Sequence, residues 1–176
     1  MTSSTPEQSV QLLRHLVSIL ILPTSVVVLM PLWLLHRFGG AWPGDRSVNV
    51  TLLQIAGALL FAAGFVLFAW CVWLFGRVGE GTLAPWDPPR RFVAVGPYRY
   101  TRNPMISGVA VMLIGEALFF TSIPLALWAL TFIAVNQLYF MLSEEPRLER
   151  RYGARYRAYK AAVPRWTPRR TPWDER

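Results

Sequence analysis

The chain of 176 residues has one cysteine and a shortage of acid: ten Asp and Glu against eighteen Lys and Arg. A lone cysteine excludes an intramolecular disulfide and a cysteine metal cluster, and Cys71, set inside an apolar run, reads as a small buried hydrophobe. No internal repeat or low-complexity tract is evident. The N-terminus lacks the signal-peptide order of basic residues, short apolar core and small-residue cleavage site, so its first apolar run is expected to stay as a span. The chain itself carries no C-a-a-X box. The acid shortage leaves a net charge of +8. In a soluble protein that charge would point to nucleic acid. Here the basic residues flank apolar runs, where anionic lipid and orientation on insertion account for them, so the expected partner is a membrane and not a nucleic acid.

Long apolar runs are what the chain has in abundance: 53% of its residues are hydrophobic. Its length fits one domain. The first run covers 10–35, with Arg14 and His15 near its start and Pro23 and Pro31 expected to bend it. The second, 48–75, exceeds what about 30 Å of hydrocarbon requires and carries Gly57 and Gly64 as sites of close helix contact. Residues 105–142 divide at Thr121-Ser122-Ile123-Pro124 into a tight hairpin with spans 105–121 and 123–142, although three spans plus a re-entrant segment also fit. These readings predict an all-α integral membrane bundle of about four spans. A long connector, 76–104, and a tail helix over 144–162 lie outside the spans. Five arginines in the connector and ten basic residues in the tail, against Arg37 and Arg46 in the 36–47 loop, place the connector and both termini in the cytoplasm. Leu148, Tyr152, Tyr156, Tyr159 and Val163 share one face of the tail helix, with Ser143 or Glu144 expected to cap its start and Pro146 tolerated in its first turn.

Two polar stretches stand out. Gly96-Pro97-Tyr98-Arg99-Tyr100-Thr101-Arg102-Asn103-Pro104 cannot continue a helix, because its prolines lack an N–H and push the preceding residue out of the α region. Irregular backbone at a bundle mouth is tolerated only when buried in protein or lining a wet cavity. Ser143-Glu144-Glu145-Pro146 sets two carboxylates just past the last apolar run. Read from residue chemistry alone, the glutamates can accept from a diol or ammonium, Arg99 or Arg102 can hold a carboxylate, Tyr98, Tyr100 or Tyr156 can face a base or a sulfonium, and Asn103 can donate and accept.

The ordered set GPYRYTRNP, EEPRLERRYG, Y-x-x-Y and VPR resembles the isoprenylcysteine carboxyl methyltransferase and phospholipid methyltransferase superfamily of integral membrane enzymes. That resemblance, over about residues 76–168, implies S-adenosylmethionine as cofactor and a multi-pass protein, in a bacterium one of the inner membrane. It implies a pocket lined by Tyr98, Arg99, Arg102, Asn103, Pro104, Gly108, Glu144 and Glu145, with Arg102, Asn103 and Glu145 closest to the chemistry. Many carboxyl methyltransferases of the superfamily carry His where Asn103 stands and Tyr where Ile106 stands, and the Asn form is nearer the phospholipid-methylating members. The resemblance thus implies a lipophilic acceptor, either an isoprenylcysteine-type carboxylate or a phospholipid amine, with a small lipophilic thiol also open. The first is already a nucleophile; the second must lose a proton, for which Glu80 or one of the glutamate pair could serve.

Plainer readings stand beside these. The glutamates can simply cap and solvate a helix, the arginines can touch lipid phosphate, and Gly79-Glu80-Gly81 reads first as a loop turn rather than a cofactor motif. Glu116, an acid within an apolar run, is expected to hydrogen-bond Asn136 or Gln137. The rival to an enzyme is a membrane scaffold or transporter subunit whose basic tail binds anionic lipid.

Overall fold

Four apolar helices, hydrophobic on nearly every side, can bury only a narrow strip of themselves and must leave the rest facing an apolar medium. A computed structural model describes residues 22–40, 48–78 and 94–174. The start of the first expected span with Arg14 and His15, residues 41–47 of the expected 36–47 loop, Gly79-Glu80-Gly81, Arg90 and Arg91 lie outside the described residues. Helix α1 is described over Leu22–Phe38, α2 over Val48–Val78, α3 over Pro104–Phe119, α4 over Ile123–Tyr139 and α5 over Glu145–Ala162. Among the described residues there is no strand, and the expected all-α class is what the chain adopts.

Among the described residues two helices are long and apolar enough to cross a membrane: Val48–Leu74, 27 residues, and the continuous rod that begins at Ile123. Leu22–Phe38 and Pro104–Phe119 are shorter apolar helices. Leu59, Val66, Ile123, Leu130 and Leu142 are all more than half exposed, an inside-out surface suited to lipid. The buried core is correspondingly small: Val27, Val109, Met112, Leu113 and Ala129 meet along one line, with Phe61, Phe68 and Phe132 against them.

The closest crossing is α2 against α3. Gly57 faces Gly115 and Gly64 faces Gly108, so close that a Cβ on Gly64 would lie 2.6 Å from the Gly108 carbonyl oxygen. Both pairs are seven residues apart along their helices, which returns a residue nearly to the same face after two turns. Helix α3 ends at Thr121, whose φ of 46° is left-handed. The Ser122 N–H then reaches the Ala117 carbonyl at 3.0 Å and the Thr121 N–H reaches Leu118 at 3.1 Å, the two bonds that reverse a chain after a helix. Pro124 follows in the first turn of α4.

Two prolines, one in α1 and one in the rod, each sit behind a turn that widens to π. Residues Ser25–Leu29 precede Pro31, and Phe140–Glu144 precede Pro146. Pro31 has no N–H and Met30 donates to Ser25, so the Val26 carbonyl turns outward to accept the Trp128 indole N–H at 3.0 Å. That bond ties α1 to α4.

Three expectations need correction. No helix starts at Ser143 or Glu144, because α4 runs through the π turn into α5; neither side chain caps anything, and Ser143 Oγ instead accepts from Arg147 at 2.7 Å. Helix α5 is interrupted at Gly153, where φ is 56° and ψ −130°. Leu148 and Tyr152 therefore sit on one helical piece and Tyr156, Tyr159 and Val163 on the next, yet all five still join one apolar cluster with Ala94 and Trp173. Glu116 does not bond Asn136 or Gln137: Asn136 donates to Phe132 in its own helix, Gln137 takes Met141 and Trp166, and Glu116 Oε2 is buried with no hydrogen-bond partner among the described residues.

Candidate functional site

The π turn sets the site. It carries the rod from α4 into α5 without a break and delivers Glu144 and Glu145 where the apolar helix ends. Glu145 is 5% exposed, the only acid in the buried set among the described residues. Around it stand Arg102 Nη1 at 2.7 Å, Arg165 Nη2 at 2.5 Å and Lys160 Nζ at 3.0 Å, and Lys160 also holds Glu149 at 2.7 Å. Burial works against the Glu145 charge, but hydrogen bonds from Arg165 and Lys160 and the charge of Arg102 outweigh it and hold the carboxyl below its ordinary value. A carboxylate so held is no proton acceptor near neutral pH. Glu144 contrasts with it: burial and the neighbouring Glu145 push it up to about 7, against the pull of Arg147 and Arg165. Glu144 has no ion pair or hydrogen bond of its side chain among the described residues.

The arginine arrives on a folded-back loop. Gly96 takes φ 56°, a 3₁₀ turn covers Gly96–Arg99, and Asn103 leads into Pro104, the buried first residue of α3. The C-terminal strap, residues 164–174, lies along this loop. The Arg102 N–H donates to the Pro164 carbonyl at 2.9 Å, Thr101 Oγ1 donates to the Arg165 carbonyl at 2.6 Å, and the Arg169 and Trp173 N–H groups reach the Tyr100 and Arg99 carbonyls, each at 2.9 Å. Trp166 pins the strap to the rod through an indole bond to Gln137 Oε1 at 2.8 Å and a ring contact with Phe140. Arg102 Nε, buried in this junction, has no hydrogen-bond partner among the described residues.

The eight expected site residues thus divide. Arg102 and Glu145 meet at the junction, Glu144 precedes Glu145 and feels the charge of Arg165, and Asn103 leads from Arg102 into the buried Pro104, its carbonyl taken by Ser107. Tyr98 is wedged into Cys71 and Leu74 at the end of α2, and burial raises its hydroxyl well above the ordinary value, which keeps it a neutral phenol. Arg99 is paired with Asp174 and donates to the Trp173 carbonyl at 2.9 Å. Gly108 faces Gly64 and Phe68 across the helix crossing. The sequence reading missed Lys160 and gave Arg165 no role. The VPR fragment marked Arg165 as unusual, whereas nothing local marks Lys160.

Tyr159 locks the two halves together, its hydroxyl donating to the Tyr98 carbonyl at 2.6 Å in a fully buried bond. Tyr159→Phe keeps the ring and leaves that carbonyl without a partner. The expected result is a loss of about 1–3 kcal/mol in unfolding experiments in detergent, with the helix content unchanged.

Comparison with known proteins yields a match to the phospholipid methyltransferase family over residues 52–155. The matched region holds α2 to the middle of α5, including Arg102, Asn103 and both glutamates, while Lys160, Arg165 and the strap lie beyond it. No curated protein and no solved structure matches the chain. With well over half of its residues matched, this chain belongs to the phospholipid methyltransferase family.

Proposed function

We propose that the protein is a single-domain, four-span methyltransferase that uses S-adenosylmethionine to methylate the amine of a phospholipid at the cytoplasmic face of the membrane. The observation that supports it most is the buried junction of Glu145 with Arg102 and Arg165, in which Arg102 Nε is left without an acceptor among the described residues. A lipid-binding scaffold gains nothing from a buried carboxylate, which costs several kcal/mol of desolvation per ion unless its partners are well placed. The residues present fit the cofactor: Arg102 Nε for its carboxylate, the Asn103 amide and the Glu144 carboxylate for its amino and hydroxyl groups. When bound, S-adenosylmethionine would supply an electrophilic methyl group.

The chain's own part is positioning and proton handling. The strap over Arg99–Arg102 leaves Thr101 only 6% exposed and keeps water from the back of the junction. Arg165 and Lys160 hold Glu145, and Glu145 in turn holds the Arg102 guanidinium in one orientation. With Glu145 kept ionised, Glu144 is the carboxyl suited to accept the proton of an acceptor ammonium nitrogen, since a base acts best with a value near the working pH. Orientation follows from the arginines clustered around this end of the bundle.

The test is calorimetry of S-adenosylmethionine with the detergent-purified protein, S-adenosylhomocysteine competing. Saturable, displaceable binding is expected, and a folded protein that binds neither sinks the proposal. The acceptor class can be read from pH. With a phosphatidylethanolamine acceptor, turnover should climb as pH rises through about 7, where Glu144 ionises against Glu145, Arg147, Arg165 and Tyr98. Glu144→Gln should remove that climb and slow turnover about 10²–10⁴-fold. A wild-type profile flat across that range would instead assign a carboxylate acceptor.

A further inference from the structure

The tail carries a second polar concavity that the methyl-transfer reading does not use. Beyond the break at Gly153, Arg155, Ala158 and Ala162 fall within about 60° of one another around the helix, and Lys160 lies about 140–160° away at 100° per residue. Tyr156 and Tyr159 are buried between these two faces. Against the Arg155 face the strap sets Arg169, Thr171 and Trp173, enclosing a groove of about 660 Å³, the size of a small-molecule site.

Both walls are fixed. The strap is tied down on either side of Thr171 by the Arg169 and Trp173 backbone bonds to Tyr100 and Arg99, and the Trp173 ring stands edge-on to Tyr159 at 5.1 Å. The volume comes from Ala158 and Ala162, where a longer side chain would fill it. Among the described residues of its lining Asp174 is the one acid, already paired with Arg99, and Arg169 Nη1 is buried with no hydrogen-bond partner among the described residues. A guanidinium N–H that gives up water and gains no acceptor is disfavoured until an anion arrives. Two arginines and a hydroxyl are the donor set that phosphate oxygens take, with arginine able to donate to two at once.

We infer that this groove is a binding site for a phosphate group, separate from the Glu145 junction, supplied either by a phospholipid headgroup or by a free phosphate. The inference does not depend on the methyltransferase reading.

The experiment titrates the full-length protein in a neutral detergent with dioctanoyl phosphatidylglycerol and, separately, with inorganic phosphate. Saturable binding is expected, weakened at least tenfold by Arg169→Gln. Ala158→Leu should weaken it as much, because it fills the groove from an exposed helix position and removes no charge. Far-UV circular dichroism and the melting temperature in detergent serve as the folding control and should be unchanged in Ala158→Leu. Binding of the lipid alone identifies a headgroup site, and binding of both probes identifies a site for the phosphate itself. Absence of binding by either probe, or affinity retained in either variant, overturns the inference.

Discussion

Glu145→Gln is expected to cost about 3 kcal/mol of stability and to weaken S-adenosylmethionine binding about 100-fold or more, with the protein still inserted in the membrane. The side chains of Glu145, Arg102 and Arg165 are 7%, 12% and 12% exposed, so the substitution strands two guanidinium groups in a junction that excludes water. Removing one partner of a buried pair costs about 3–5 kcal/mol, and glutamine, which keeps one oxygen to accept, belongs at the lower end. Lys160 behaves differently: at 38% exposed and with Glu149 as a second partner, its replacement by Gln should cost under about 1 kcal/mol. A double-mutant cycle of Arg102→Ala with Glu145→Ala checks that the energy resides in the pair. The pH dependence has a fixed sign. Because the Glu145 carboxyl lies below its ordinary 4.5 in the folded protein, its contribution is complete above 4.5 and is lost as pH falls through the folded value. If Glu145→Gln leaves both the melting temperature and the cofactor affinity unchanged, the junction does not hold the site.

The second large effect comes from a hydrogen atom. At Gly64 any side chain starts with a Cβ 2.6 Å from the Gly108 carbonyl oxygen and 2.8 Å from the Met112 nitrogen, and at Gly57 it starts 2.5 Å from the Gly115 oxygen. These neighbours are helix backbone, which cannot turn aside as a side chain would. Gly64→Leu should force α2 and α3 apart, costing at least the 1–3 kcal/mol or so of an overpacked core. Since Pro104 begins α3 and Arg102 stands two residues before it, that displacement should reach the junction and depress cofactor binding as well. Ala58→Leu, on the exposed side of α2, should change neither. Size-exclusion profiles and melting curves in detergent distinguish the two, and a Gly64→Leu protein as stable as wild type would contradict the close crossing.

What was legible in the sequence follows from how locally each feature is encoded. The apolar runs and the turn at Thr121 announce themselves, because length in hydrocarbon and the punctuation of Ser-Ile-Pro act within a few residues. Arg102 and Glu145 were found through the order of their motifs, 43 residues apart. Lys160 and the function of Arg165 were not legible: Lys160 reaches Glu145 from beyond the break at Gly153, and Arg165 only after the chain passes Val163 and lies back along Arg99–Arg102. Tyr98 and Arg99 illustrate the converse. Their residue types suit a cofactor, but one is consumed by packing on Cys71 and the other by Asp174. Capping at Ser143 was expected on the assumption that Pro146 opens a helix; the widened turn admits the proline without an end, so no N–H groups were left to cap.

That widened turn constrains how this chain can change. From Ile123 to Glu145 the helix has no loop in which to absorb an insertion or a deletion. One residue gained or lost within α4 would swing everything after it by about 100° and shift it by about 1.5 Å. Glu145 would then point away from Arg102 and Arg165, however well the altered helix still suited the bilayer. Lipid-facing letters such as Leu127, Leu130 and Val135 can be exchanged for other apolar ones at little cost, but their number cannot. The segment that looks most permissive in composition is the one whose length is least free to drift.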